Sequence, residues 1–144
     1  MLKPGIEVSI VCNDIHVLKI KVRASNYVFS GQTKVYGDLD TLNQFCEAIN
    51  GFPKSGSDVR TFEIGEFDTE HSLGGVRFRF FCVDTLGHAL VEVKLQSEWS
   101  SRFHSQEMAT LYIPVEAAGI DSFVSDLRGL EKNEIQSAFL KSTS

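Results

Sequence analysis

No stretch of the 144-residue chain approaches the roughly 20 consecutive apolar residues that a membrane-spanning helix requires. The opening MLKPGIEVSIVCNDIH also lacks the basic, apolar and small-residue order of a signal peptide, so the chain is expected to work in the cytoplasm without a membrane partner. Cysteine is scarce: Cys12, Cys46 and Cys82 are odd in number and share no metal-ligand spacing. Each falls in an apolar pattern, and all three are expected to be buried, unpaired thiols. Cations are too few for a general nucleic-acid binder, with 14 Lys and Arg against 19 Asp and Glu and a formal charge of −5. The catalytic signatures G-x-S-x-G, H-E-x-x-H, C-x-x-C, the P-loop and a G-x-G-x-x-G following a strand are all missing, so neither an enzyme nor a cofactor or metal site is expected. Nothing repeats at a fixed period and no linker divides the chain, which reads as one domain spanning 1–144.

What is present is alternation. Ile6, Val8, Ile10 and Cys12 alternate with polar residues, as Leu18, Ile20 and Val22 do with Lys19, Lys21 and Arg23; Asn13-Asp14 joins the two as a turn. Tyr27, Phe29, Thr33 and Val35 predict a third strand over Tyr27 to Tyr36, with Gly31 at a bulge. The period then lengthens. Leu39, Leu42, Phe45, Cys46 and Ile49 recur at helical spacing, with Asp38 in the N-cap position, Asp40 in the first turn and Asn50-Gly51 as the stop. Four more strands follow: around Phe62 and Ile64; Val76 to Cys82; Ala89 to Leu95 after a hairpin loop Asp84 to His88; and Met108 to Val115. Arg77 and Arg79 are expected to meet Glu92 across the outer face of one pair. Ile120, Phe123, Val124 and Leu127 form a second helical stripe, and Ile135, Ala138 and Phe139 predict a shorter helical continuation beyond Gly129. The order βββ-α-ββββ-α therefore predicts an α+β fold, a mainly antiparallel sheet of about seven strands covered by two main helices.

Two segments stand out as candidate sites. Glu63, Glu66, Asp68, Glu70 and His71 crowd into a stretch that ends in Gly74-Gly75, where oxygen ligands in alternation suit a hard cation. Their spacing does not follow an EF-hand loop, and a solvated acidic loop or a docking surface for a basic partner is the expected use. The polar insert between Leu95 and Met108 brings together Glu98, Trp99, Arg102, Phe103 and His104, the residue types that dominate binding hot spots. The competing expectation is that Trp99 and Phe103 fold back to seal one end of the sheet. The histidines His16, His71, His88 and His104 lie in separate turns or strand edges, which fits solvated loop positions.

The closing stretch ATLYIPVEAAGIDSFVSDLRGL, a last strand running into a helix with Ile120, Phe123, Val124 and Leu127 at i, i+3, i+4 and i+7, resembles the small immunity-type proteins of bacterial polymorphic toxin systems, the WapI-type family and its relatives. That resemblance implies a binding role and transfers no active site. The expectation is a non-enzymatic protein-interaction domain, an immunity protein that binds and neutralises a toxin domain with a basic contact face. Glu66, Asp68, Glu70, Trp99, Arg102, Phe103 and His104 are its expected contact residues. Two alternatives stay open: a small-ligand-binding or enzymatic domain with His88 or His104 beside a carboxylate between sheet and helices, and a module that forms a homodimer through a sheet edge.

Overall fold

Segments of alternating polarity form eight strands and the two helical stripes form two helices, in a computed structural model that describes residues 3–67 and 70–143. In chain order they are β1 (Gly5–Asn13), β2 (Leu18–Ser25), β3 (Ser30–Gly37), α1 (Thr41–Ile49), β4 (Val59–Gly65), β5 (Gly75–Cys82), β6 (His88–Gln96), β7 (Met108–Glu116), α2 (Ala117–Glu131) and β8 (Ser137–Lys141). The fold is α+β. The strands divide into two antiparallel sheets of four, β3-β2-β1-β8 and β4-β5-β6-β7, rather than one sheet of about seven. The difference has a physical source: hairpin-joined strands look alike whether consecutive hairpins share a sheet or not, and α1 separates β3 from β4.

One apolar cluster draws on both sheets and both helices. From β1 and β2 it takes Ile6, Val8, Ile20 and Val22; from β5 and β6, Val76, Phe78, Phe80, Val91 and Val93. Phe45 of α1 is its joint. Its ring stacks on Phe62 at 4.8 Å and on Phe78 at 4.6 Å, and meets Phe123 of α2 edge-on at 5.7 Å. The stripe Leu42, Phe45, Cys46 and Ile49 is buried as its spacing predicts, whereas Leu39 lies before the helix and is exposed. Asp40, not Asp38, occupies the N-cap position. Asp38 works one turn earlier, where its Oδ1 accepts the backbone N–H of Asp40 and the Thr41 hydroxyl. Asn50 ends the helix and Gly51 follows at φ +76°, where a side chain would be strained.

Other local expectations are overturned too: Gly31 pairs with Ala24 in an unbroken β2–β3 register, with no bulge, and three further differences follow. Tyr27 and Phe29 belong to the β2–β3 turn, not to β3: Asn26 Oδ1 accepts the backbone N–H groups of Val28 and Phe29, so all three apolar side chains of the tip stay exposed. Cys12 is exposed because the β1–β2 register shifts between Ile10 and Cys12. The shift places Cys12 opposite outward-facing Lys19 instead of inward-facing Leu18. Of the other thiols, Cys46 is buried and Cys82 half-buried, and all three are free. The third correction concerns residues 137–141, which form β8 rather than more helix. Asn133 takes φ +62°, its N–H bonds to the Leu130 carbonyl and that of Glu134 to Gly129, a Schellman stop that ends α2. Ala138 and Leu140 then alternate into the core beside β1.

The outer edge of β7 is engaged at two positions. Pro114 has no N–H to leave unpaired there, and the carbonyls of Tyr112 and Pro114 accept bonds from the Asn26 side chain and the Thr143 backbone. No helix is long and apolar enough to cross a membrane among the described residues.

Candidate functional site

The meander β4-β5-β6-β7 puts the β4–β5 and β6–β7 connections at the same end of the second sheet. These connections are the two segments that the sequence singles out, and the structure stitches them together: the backbone N–H of Trp99 donates to the Ser72 carbonyl at 3.0 Å. Gly74 allows the approach. At φ +99° it lies so close to β3 that a Cβ would sit 2.8 Å from the Lys34 carbonyl oxygen, while Thr33 Oγ1 donates to the Gln96 carbonyl at 2.8 Å beside it.

The β6–β7 connection is an ordered projection. Ser97 and Glu107 close its neck through two bonds of 2.8 Å, Ser97 N–H to the Glu107 carbonyl and Glu107 N–H to Ser97 Oγ. A bridge between Ser100 and Ser105 extends the pairing, the Phe103 N–H bonds to Ser100 Oγ, and His104 turns the chain at φ +52°. Arg102, Phe103 and His104 therefore stand on the tip. Phe103 is 66% exposed, with the Arg102 guanidinium 5.4 Å from its ring centre. Beneath it Ser97, Glu98, Ser100, Phe103 and Glu107 line a groove of about 520 Å³. Because the Arg102 guanidinium already lies near the ring, Glu98 and Glu107 in the groove lining are the groups that can pair with an incoming arginine or lysine side chain.

The expected contact residues fall into three groups. Arg102, Phe103 and His104 are brought together at the tip; Trp99 is half-buried at the base of the projection, where its backbone holds the neighbouring loop. Glu66 and Glu70 are exposed on that loop, Glu70 lying 3.4 Å from His71, while Asp68 is outside the described residues. Glu98 and Glu107 complete the groove. Glu98 is visible in the sequence as part of the insert, whereas Glu107 becomes a groove residue only because the neck pairs it with Ser97.

The histidines do not gather. His88 opens β6 and His104 lies in the loop beyond its far end. His88 Nδ1 is 2.6 Å from Asp84 Oδ2, and the other Asp84 oxygen accepts the backbone N–H groups of Leu86 and His88, so the pair closes an exposed hairpin turn. Their hydrogen bond lowers the Asp84 carboxyl pKa and raises that of His88. On the outer face of the second sheet Glu92 accepts the Tyr112 hydroxyl at 2.6 Å and an Arg77 N–H at 3.4 Å, as the sequence led one to expect of Arg77. The Tyr112 bond is the main cause of the lowered Glu92 pKa, and Glu92 in turn raises that of Tyr112. Arg79 sits directly opposite Glu92, where its charge helps to lower the Glu92 pKa, and it also stacks over Phe81 at 4.6 Å. Among the described residues no three of His, Cys, Asp and Glu come together as a metal-binding group. No protein-family model, curated protein or solved structure matches the chain.

Proposed function

We propose that the chain is a non-enzymatic protein-interaction domain whose contact surface is the stitched pair of loops at residues 66–74 and 97–107. The observation that carries this is Phe103, a large apolar ring held 66% exposed on a hydrogen-bonded tip, beside a groove flanked by Glu98 and Glu107. An exposed ring on a fixed backbone loses little conformational entropy on binding, which is the economy of a binding anchor. The acidic rim of Glu66, Glu70, Glu98 and Glu107 selects a partner with a basic contact face and steers its approach.

An immunity protein that covers a toxin domain in the bacterial cytoplasm is the form of this function we favour, and the resemblance of residues 109–130 supports it. Those residues carry packing rather than contact: Leu111, Ile113, Val115, Ile120, Phe123 and Leu127 are all buried.

The test starts from a partner isolated with the intact chain and measures affinity by calorimetry. Phe103→Ala should weaken the complex by about 2 kcal/mol or more, roughly thirtyfold, without lowering the melting temperature. Wild-type affinity in both Phe103→Ala and Arg102→Ala would remove the loop from the contact surface.

A further inference from the structure

The outward face of the first sheet concentrates charge of the sign that the chain as a whole is short of. Lys19, Lys21 and Arg23 on β2, Lys34 on β3 and Lys141 on β8 share it with a single carboxylate, Glu7 on β1. Lys3 joins them with its ammonium 4.6 Å over the ring of Phe139. Six cations against one carboxylate give the face +5, so with −5 on the whole chain the remainder carries −10. Asp126 of α2, bonded to the Phe139 N–H, marks the border at the β8 edge.

The middle of the face is arranged against its own stability. Lys21 and Lys34 lie directly opposite each other on paired strands, a placement in which like charges repel, and Ser9 occupies the position on the other side of Lys21. Among the described residues neither lysine has an ion-pair partner; Arg23 has one, Glu7 at 3.2 Å. We propose that this face docks a short acidic polypeptide segment in extended form, with its carboxylates over Lys19, Lys21 and Lys34. Alternate side chains of an extended chain are spaced like the alternate lysines of β2, so one row of carboxylates matches one row of ammonium groups.

Two observations separate this occupant from a nucleic acid. Across its strands the face spans three strand spacings, about 14 Å, and a long phosphodiester crossing it would run off onto the acidic remainder. The two rings on the face itself each carry a cation: the Lys19 ammonium lies 5.4 Å over Tyr36, and that of Lys3 covers Phe139. A short carboxylate peptide needs neither length nor open rings. The face adjoins a loop of the second sheet at β3, where Gly74 lies against the Lys34 carbonyl, but the inference does not rest on the role of that loop.

Anisotropy of a fluorescein-labelled octaglutamate peptide, titrated with the full chain, tests the proposal. Saturable binding is expected, weakening steeply as salt rises through the physiological range. Lys34→Glu places opposite charges across the strands, so it should leave the melting temperature unchanged or higher while weakening the peptide about tenfold or more. Lys21→Glu should do the same, and Arg102→Ala should change nothing. Failure of the peptide to saturate, wild-type binding by both reversals, or a lowered melting temperature in both would overturn the inference. So would tighter binding of an oligothymidylate or of phosphatidylserine vesicles, which would assign the face to nucleic acid or to a lipid surface.

Discussion

Replacing Phe45 with alanine removes the ring on which the two helices and the second sheet converge. The side chain is fully buried and contacts Phe62 of β4, Phe78 of β5 and Phe123 of α2, with ring centres 4.8, 4.6 and 5.7 Å away. A buried Phe→Ala change costs about 3–5 kcal/mol through lost transfer energy and the cavity left behind. Aromatic pairs add about 0.5–1.5 kcal/mol each beyond the area they bury, which moves Phe45→Ala to about 5 kcal/mol, the top of that range. Domains of this kind are stable by about 5–15 kcal/mol in total, so the variant should lose at least a third of its stability. Urea denaturation followed by circular dichroism reads this directly: the midpoint should fall by about 2 M with the slope unchanged. Phe103→Ala is the control and should stay within about 0.5 kcal/mol of the parent. A loss below about 2 kcal/mol for Phe45→Ala would mean that the three rings do not carry the junction between the helices and the second sheet.

The thiols offer a test of the β1 register. Cys12 should react with a thiol reagent quickly in the native state, whereas Cys46 should be protected because burial both shields it and pushes its thiol pKa up; equal rates at the two would refute the burial pattern. The Asp84–His88 pair makes a prediction about pH. Its stabilisation of the turn through His88 should be full below the ordinary imidazole value of about 6.5 and lost as pH rises through the raised folded value. Its stabilisation through Asp84 should fade only as pH falls through that carboxyl's lowered value. A proton NMR titration should place the His88 midpoint above that of an ordinary histidine and bring it down in Asp84→Asn. An unmoved midpoint would show that the 2.6 Å contact does not persist in solution.

Where packing is local, the sequence is a sufficient guide. The stripe Leu42, Phe45, Cys46 and Ile49 fixes α1 because one helix face can be read within a dozen residues. The features that escape depend on partners distant in sequence. Ala138 and Phe139 fit a helical spacing with Ile135, and only the pairing of Ala138 with Val8 makes that segment a strand. Cys12 shares the parity of Ile10, and a one-residue bulge against β2 reverses it. Tyr27 and Phe29 alternate like strand residues, but the side chain of Asn26 captures their backbone into a turn. Both candidate loops are legible as polar insertions between apolar strands. Their contact is not, since the Trp99–Ser72 bond requires the second sheet to be a four-strand meander.

The pairing of β1 with β8 has a consequence for how the chain comes to be folded. Gly5 meets Lys141, and Ser9 meets Ser137, across nearly the whole length of the sequence. A ribosome therefore releases β1, β2 and β3 long before the strand that completes their sheet exists, and throughout that interval the edge of β1 offers unpaired N–H and carbonyl groups to any passing strand. Closing so long a loop is slow relative to making hairpins, and the interval outlasts the synthesis of β8 itself. The nascent chain is thus vulnerable to misassociation along the edge of β1, and the hazard passes only with the arrival of Ala138 and Leu140.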